Sequence, residues 1–89
     1  MARATLTAEQ AAAVGLQGLA YIAGEAQLLQ RLLDISGLSL EALRRRADEP
    51  ALLGGVLDFL LADESALLAF CESYGLAPDL PARARAELP

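Results

Sequence analysis

Apolar residues recur along the chain at the three- and four-residue spacing of a buried helix face, in short runs separated by glycine, proline and capping residues. A clear run places Leu28, Leu32 and Ile35 on one side of a helix. The runs predict short helices over residues 8–23, 25–35, 40–47, 50–61, 64–74 and 82–88. We therefore expect one all-α domain over residues 1–89, a small bundle of five or six helices. Residues 1–6 would form an N-terminal tail, and residues 77–89 a connector and a short C-terminal helix.

The predicted helix ends carry residues that satisfy free backbone groups. Thr7 and Gln10 have the spacing of a capping box, and Asp63 stands where the fifth helix needs an N-cap. Gly37 and Gly75 each follow a predicted helix, at the position where a left-handed residue commonly ends one. These signals support the predicted boundaries independently of the apolar spacing.

The apolar spacing also predicts a core. Its expected members come from every predicted helix except the last: Leu16, Leu19, Leu29, Leu32, Leu43, Val56, Leu57, Leu60, Leu67, Phe70 and Tyr74. The stripe expected to be buried on the first helix is Ala12, Leu16, Leu19, Ala20 and Ala23. Phe59 is left outside the core, because one residue turns a helix by about 100° relative to its neighbour. An exposed Phe59 would be the best single anchor for a partner.

Four glycines lie inside predicted helices: Gly15, Gly18, Gly54 and Gly55. Each costs about 0.5–1 kcal/mol relative to alanine in a helix interior, so something should offset that cost. Close approach of neighbouring helices is the simplest explanation. It could occur within the fold or across a two-fold dimer formed through the fourth or the first helix.

Composition agrees with an all-helical chain. Leucine supplies 20 and alanine 19 of the 89 residues, whereas valine and isoleucine supply two each, which excludes a sheet protein. The chain has no His, Lys or Trp, and its single Cys cannot form an internal disulfide or a multi-cysteine metal site. Catalysis that depends on histidine is therefore excluded.

The net charge is −5, from 12 carboxylates and seven arginines, which disfavours nonspecific binding to nucleic acid or to an anionic membrane. The N-terminus lacks the apolar region of a signal peptide, and no stretch has the roughly 20 apolar residues of a membrane span. One unpaired cysteine without a secretion signal indicates the cytoplasm.

The candidate reactive groups favour structural roles. Cys71 lies between apolar Phe70 and acidic Glu72, a setting that raises the pKa of a thiol, and no histidine is present to activate it. Asp58 and Asp63 lie close to two glutamates but lack the alternating ligand spacing of a calcium loop. We expect no catalytic residue, no cofactor and no metal site.

Residues 28–46 have the outline of a helix-turn-helix DNA reader, with arginines at 44, 45 and 46. Leu33 occupies a position that is normally small in that motif, and the arginines come late in the second helix. Cations near a helix C-terminus stabilise the helix without any ligand. A structural role is therefore the preferred interpretation of Arg44, Arg45 and Arg46. DNA binding through residues 28–46 is kept as the alternative function.

The stretches 34–38, 43–44, 48–50 and above all 56–71 resemble a bacterial family of small helical proteins, domain-of-unknown-function family 3572. The likeness extends over about residues 12–88. It implies a helical fold but no activity, cofactor or catalytic residue. The resemblance also implies a signalling context, since members of that family are expected to be encoded beside a stand-alone response regulator.

The main functional hypothesis is a noncatalytic protein-interaction module, acting as a homodimer or as an adaptor. A domain this small buries only about 60–65% of its unfolded-chain surface, so a chain that is 55% hydrophobic must expose apolar side chains or cover them by association. The candidate contact residues are Phe59, Leu53, Leu61, Arg44, Arg45 and Arg46. The expected partner is a protein, either a second copy or another chain, and no small-molecule substrate is inferred.

Overall fold

The computed structural model describes residues 6–89, which form six α-helices joined by short turns. They are α1 (Ala8–Ala23), α2 (Ala26–Ser36), α3 (Leu40–Arg45), α4 (Pro50–Leu61), α5 (Glu64–Tyr74) and α6 (Leu80–Ala86). This part of the chain contains no strand. The predicted all-α fold is confirmed, and α1, α4 and α5 have the predicted bounds.

The helices α1 and α4 lie at the centre and approach each other at glycines. A Cβ atom added to Gly15 would lie 2.8 Å from the Cβ of Leu53, and one added to Gly18 would lie 3.0 Å from Cδ1 of Leu60. The predicted role of Gly15 and Gly18 in close helix packing is confirmed. Because both are buried inside one chain, they do not form part of a dimer surface.

The other glycine pair, on α4, has two different environments. Gly54 is buried beneath the C-terminal segment, where an added Cβ would lie 2.7 Å from the carbonyl oxygen of Pro89. Gly55 is exposed, and an added Cβ would have nothing within 4 Å. Only Gly55 of the four is thus accessible to another molecule.

Two clusters of buried side chains form the core. The larger cluster draws side chains from each of the first five helices. Its members are Leu19, Ile22, Leu32, Leu43, Val56, Leu60, Ala66, Phe70 and Cys71. The smaller joins α1, α4 and the C-terminal segment and contains Ala11, Val14, Leu53, Leu57, Ala84 and Leu88. Phe70 is fully buried between Tyr21 and Tyr74, with ring centroids 5.8 and 5.4 Å away.

The prediction of which stripe of α1 is buried is wrong. Its largest residue, Leu16, is 51% exposed, and of the five predicted residues only Leu19 is buried. The buried residues of α1 are Ala11, Val14, Gly15, Gly18, Leu19 and Ile22. Because one residue turns the helix by about 100°, Leu16 must point away once the adjacent Gly15 faces α4.

Three other residues of the predicted core are less buried than expected. Tyr74, the last residue of α5, is 38% exposed although its ring contacts Phe70. Leu29 and Leu67 are half-buried against the larger cluster. Phe59, placed outside the core, is also half-buried.

The helix ends follow the predicted capping. Thr7 and Gln10 form both hydrogen bonds of the capping box, and Asp63 accepts from the amide of Ala66. Gly37 and Gly75 are left-handed, with φ of 72° and 65°. These local signals therefore identified the turns correctly.

Three of the helices differ from the prediction in their bounds. The helix α2 covers Ala26–Ser36 and not residues 25–35, and α6 ends at Ala86 and not at residue 88. The helix α3 ends at Arg45 and not at residue 47, so it has only six residues. The helix α6 begins at Leu80 and not at residue 82, because Pro81 lies in its first turn, where proline has no helical hydrogen bond to lose. Leu6 packs against the smaller cluster, and the rest of the expected N-terminal tail lies outside the described residues.

Candidate functional site

An open apolar groove lies between the end of α2, the helix α3 and one side of α4. Its volume is about 540 Å³. The α4 residues that line it include Ala51, Leu52, Gly55 and Phe59, which recur at helical spacing, and Ala62, the C-cap of α4, continues the line. The eleven residues of α4 from 51 to 61 span about 16 Å of helix, so the groove follows α4 for three turns.

The floor of the groove is made by buried core side chains. Leu32 of α2, Leu43 of α3 and Val56 of α4 meet there, and all three belong to the larger cluster. The floor is deep beside Gly55, because this residue has no side chain and nothing else fills the space above it. A partner backbone could approach α4 most closely at this point.

One wall of the groove is the ring of Phe59, which Arg31 holds in place. The Arg31 guanidinium carbon lies 5.6 Å from the ring centroid, within the range of a cation–π contact. Arg31 Nη1 also lies 3.2 Å from Oδ2 of Asp63, the N-cap of α5. Arg31 therefore bridges the aromatic wall of the groove and the N-cap of α5.

The upper edge of the groove carries Ile35, the penultimate residue of α2. Its side chain is 73% exposed, the largest exposure among the large hydrophobic residues that the structure describes. The helix ends one residue later, and Gly37 turns the chain toward α3. Ile35 therefore lies beside the groove without a neighbour to cover it.

Ion pairs neutralise the charged side chains that line the groove. Arg46 Nε lies 2.9 Å from Oε1 of Glu49, and Arg85 Nε lies 2.7 Å from Oδ1 of Asp58. The groove is therefore apolar along its length and has little net charge at its rim. This combination suits apolar side chains better than a charged ligand.

The structure separates the six predicted contact residues. Phe59 and Arg46 line the groove, whereas Leu61 is half-buried and does not line it. Leu53 is 2% exposed, so the expectation that it contacts a partner is wrong. Its side chain packs beneath Gly15 of α1, which lets α1 lie directly over it.

Two groove residues, Ile35 and Gly55, were missed by sequence reasoning. Ile35 was placed on the apolar side of α2 but in neither the core nor the contact residues, and Gly55 was interpreted as a glycine for close helix approach, within the fold or across a dimer. The signal that could have identified Gly55 is the adjacent pair at 54 and 55, since two neighbours cannot both face the same helix. That signal does not say which of the two faces inward.

The arginine run on α3 does not act as one unit. Arg44 and Arg45 are exposed and make no ion pair within residues 6–89, whereas Arg46 is paired with Glu49. A helix of six residues is about 9 Å long, shorter than the recognition helices that cross the major groove of DNA. The outline of a helix-turn-helix motif is thus present only in abbreviated form.

The thiol of Cys71 is placed away from the groove. Cys71 is buried in the larger cluster, and burial raises the pKa of its thiol. Its sulfur lies 3.8 Å from the carbonyl oxygen of Ala77. In the part of the chain that is described, no three potential metal ligands cluster, and no helix is long and apolar enough to cross a membrane.

Comparison with other proteins identifies the family but no characterised relative. No curated protein and no solved structure matches the chain. A family model described as "Protein of unknown function (DUF3572)" matches residues 8–89, from the first residue of α1 to the end of the chain. The chain therefore belongs to the DUF3572 family.

Proposed function

We propose that the protein is a noncatalytic interaction module that binds an amphipathic helix of another protein in the groove between α2, α3 and α4. The observation that carries the proposal is the apolar groove of about 540 Å³ that is open beside Gly55. Helix-in-groove binding is a recurrent mode of recognition, in which apolar residues at i, i+3 or i+4, and i+7 fill one groove.

The groove dimensions favour a helix of about three turns. Such a helix matches the three turns of α4 that line the groove, and its backbone would pass over Gly55. Its apolar face would contact Phe59 on one wall and Ile35 at the edge. Because the rim charges are already paired, we expect two or three large aliphatic side chains to provide most of the affinity.

The bacterial cytoplasm is the compartment that we propose for this interaction. The lone Cys71 is buried and unpaired, as a reducing compartment allows. An adaptor of this kind fits the signalling context that the family resemblance suggests.

Site-directed photocrosslinking in cells of the source organism tests the proposal. A photoreactive benzoylphenylalanine at position 35, in place of the exposed Ile35 at the edge of the groove, should crosslink to one protein, and mass spectrometry should map the attachment to an amphipathic helix. The same probe at position 68 is the control, because Leu68 on α5 is exposed and lies outside the groove. Identical products from both positions, or attachment to a nonhelical segment or to a second copy, would reject the proposal.

A binding measurement then follows with a synthetic peptide of the crosslinked helix. Gly55→Leu fills the open part of the groove and should weaken peptide binding at least about tenfold, since the new side chain occupies the partner's position. Leu68→Ala is the matched variant outside the groove and should leave the affinity unchanged. Equal affinities of wild-type protein and Gly55→Leu would contradict the groove as the binding site.

The DNA-binding alternative makes a different prediction. It requires a sequence-specific gel shift that is lost when Arg44, Arg45 and Arg46 are changed to alanine. We expect no duplex binding above the nonspecific level at physiological salt, because the net charge is −5 and Arg46 is paired with Glu49. A specific shift that depends on these arginines would favour the alternative.

A further inference from the structure

The outer face of α1 is apolar and unpartnered. Leu16 lies at its centre with 51% of its surface exposed, and the exposed Ala20 and Ala23 continue the stripe toward the end of the helix. Ala12 borders the stripe on the other side and is half-buried against the smaller cluster. This stripe lies about 120° around the helix from the residues that face α4. The helix thus has one apolar face for its own fold and a second that this fold leaves uncovered.

Two shallow hollows adjoin this face. One, of about 410 Å³, lies between the C-terminal half of α1 and α3, where Leu19 and Ala23 meet the exposed Leu40. The other, of about 520 Å³, lies between the N-terminal half of α1 and the turn before α4, and Leu16 lines it. Ala47 lines both, so the hollows form one continuous apolar surface beside α1.

Opposite charges stand at the two ends of this surface. Arg44 lines the hollow at the C-terminal half of α1, whereas Glu9 and Asp48 line the hollow at the N-terminal half. All three side chains belong to exposed residues, and none forms an ion pair within the described part of the chain. The surface is therefore basic at one end, apolar in the middle and acidic at the other.

A surface with this order of charges is complementary to itself. When two copies face each other with their α1 helices antiparallel, the basic end of each meets the acidic end of the other. Arg44 then faces the carboxylates at positions 9 and 48 of the second copy, and the two Leu16 side chains come together near the two-fold axis. A parallel arrangement would instead bring like charges together, which costs free energy.

We propose that two copies of the chain form a two-fold dimer through the outer face of α1. The occupant is a second copy because the face supplies both halves of its own charge pattern. Among residues 6–89, the only one that lines both this surface and the groove is the buried Leu43. The dimer would therefore leave each groove open, and the two proposals can fail separately.

Light scattering over micromolar to millimolar concentrations tests the dimer. The mass of the wild-type chain should rise from 9.3 kDa toward twice that value. Leu16→Glu should raise the dissociation constant at least about 100-fold, because both copies lose an apolar contact and gain a charge near the axis. Leu68→Glu, at an exposed leucine on α5, is the matched control and should leave the dimer intact.

Charge reversal provides an independent test that does not depend on Leu16. Arg44→Glu alone, and Glu9→Arg with Asp48→Arg, should each weaken the dimer, whereas all three changes together should restore it. These residues are exposed, and circular dichroism would verify that each variant is folded. A monomeric wild-type chain at every concentration, a dimer that Leu16→Glu does not weaken, or a triple variant without rescue would overturn the proposal.

Discussion

Gly15 of α1 lies so close to Leu53 of α4 that a methyl group on the glycine would come within 2.8 Å of the leucine Cβ. The carbonyl oxygen of Leu53 would lie 3.3 Å from the same methyl group, so backbone as well as side chain stands in the way. This contact sets the distance between the two central helices. It also determines which face of α1 is buried and which remains at the surface.

We expect Gly15→Ala to destabilise the fold by about 1–3 kcal/mol, because the helices must separate to make room for the new methyl group. The gain in helix propensity, at most about 1 kcal/mol, does not offset this strain. Urea unfolding followed by circular dichroism measures the change.

Gly55→Ala is the matched control on α4, where an added Cβ meets nothing within 4 Å. It should stabilise the fold by about 0.5–1 kcal/mol through helix propensity alone. Equal effects of the two substitutions would contradict the close approach at Gly15.

Arg85 attaches the C-terminal segment to α4. Its Nε donates to Asp58 at 2.7 Å, and its Nη1 donates to the carbonyl oxygens of Leu88 and Pro89 at 2.9 and 3.1 Å. Arg85→Ala should lower the midpoint of thermal unfolding by a few degrees, since Leu88 of the smaller cluster loses its anchor. Calorimetry of the variant measures this shift. Arg45→Ala, at an exposed arginine, should leave the midpoint unchanged, and a similar loss in both variants would argue against a specific role for Arg85.

Asp63 should make stability depend on pH in the acid range. The amide of Ala66 and the guanidinium of Arg31 donate to its carboxylate and hold its pKa below the ordinary value of 3.8. Since the folded pKa is depressed, the stabilisation is complete above about pH 4 and is lost as the pH falls through the folded value. Asp63→Asn should therefore be less stable than wild type above pH 4 and less sensitive to acid below it.

Urea unfolding at a series of pH values compares the two chains. Arg31→Gln removes one of the two donors and should flatten only part of the acid dependence. Parallel stability curves for wild type and Asp63→Asn would show that this cap does not contribute to acid unfolding.

Cys71 should react slowly with thiol reagents in the folded protein. Its side chain is buried in the larger cluster, and burial raises the pKa of the thiol, so little thiolate is available at neutral pH. We expect modification by a disulfide reagent to be at least about 100-fold slower in buffer than in urea. Ser73→Cys in a Cys71→Ala background places a thiol at an exposed site on the same helix and should react rapidly. Similar rates at positions 71 and 73 would contradict the burial.

The local features of the fold could be predicted from the sequence because they depend on residues a few positions apart. The Thr7–Gln10 capping box, the Asp63 cap and the left-handed turn at Gly37 each arise within one turn of helix. The scarcity of β-branched residues excluded a sheet before any element was located. Cys71, for which the sequence favoured a structural role, lies buried in the larger cluster.

The choice of face on α1 was decided by the tertiary structure. Apolar or small residues surround this helix on nearly every side, so the three- and four-residue spacing fits two different stripes, one through Leu16 and one through Gly15. Side-chain size favoured the stripe through Leu16, but α4 packs against the glycines, where the backbones can approach most closely. No property of α1 alone distinguishes these arrangements.

Tertiary packing also decided which residues form the candidate binding surfaces. The sequence by itself determined that apolar side chains of this small domain would remain at the surface, and it identified Phe59 and the arginines of α3 as candidates. Only the packing of α2, α3 and α4 decided that Phe59 lines a groove, that Leu53 is buried and that Gly55 is open. Contacts between residues distant in sequence decide exposure, and helical periodicity describes only one helix at a time.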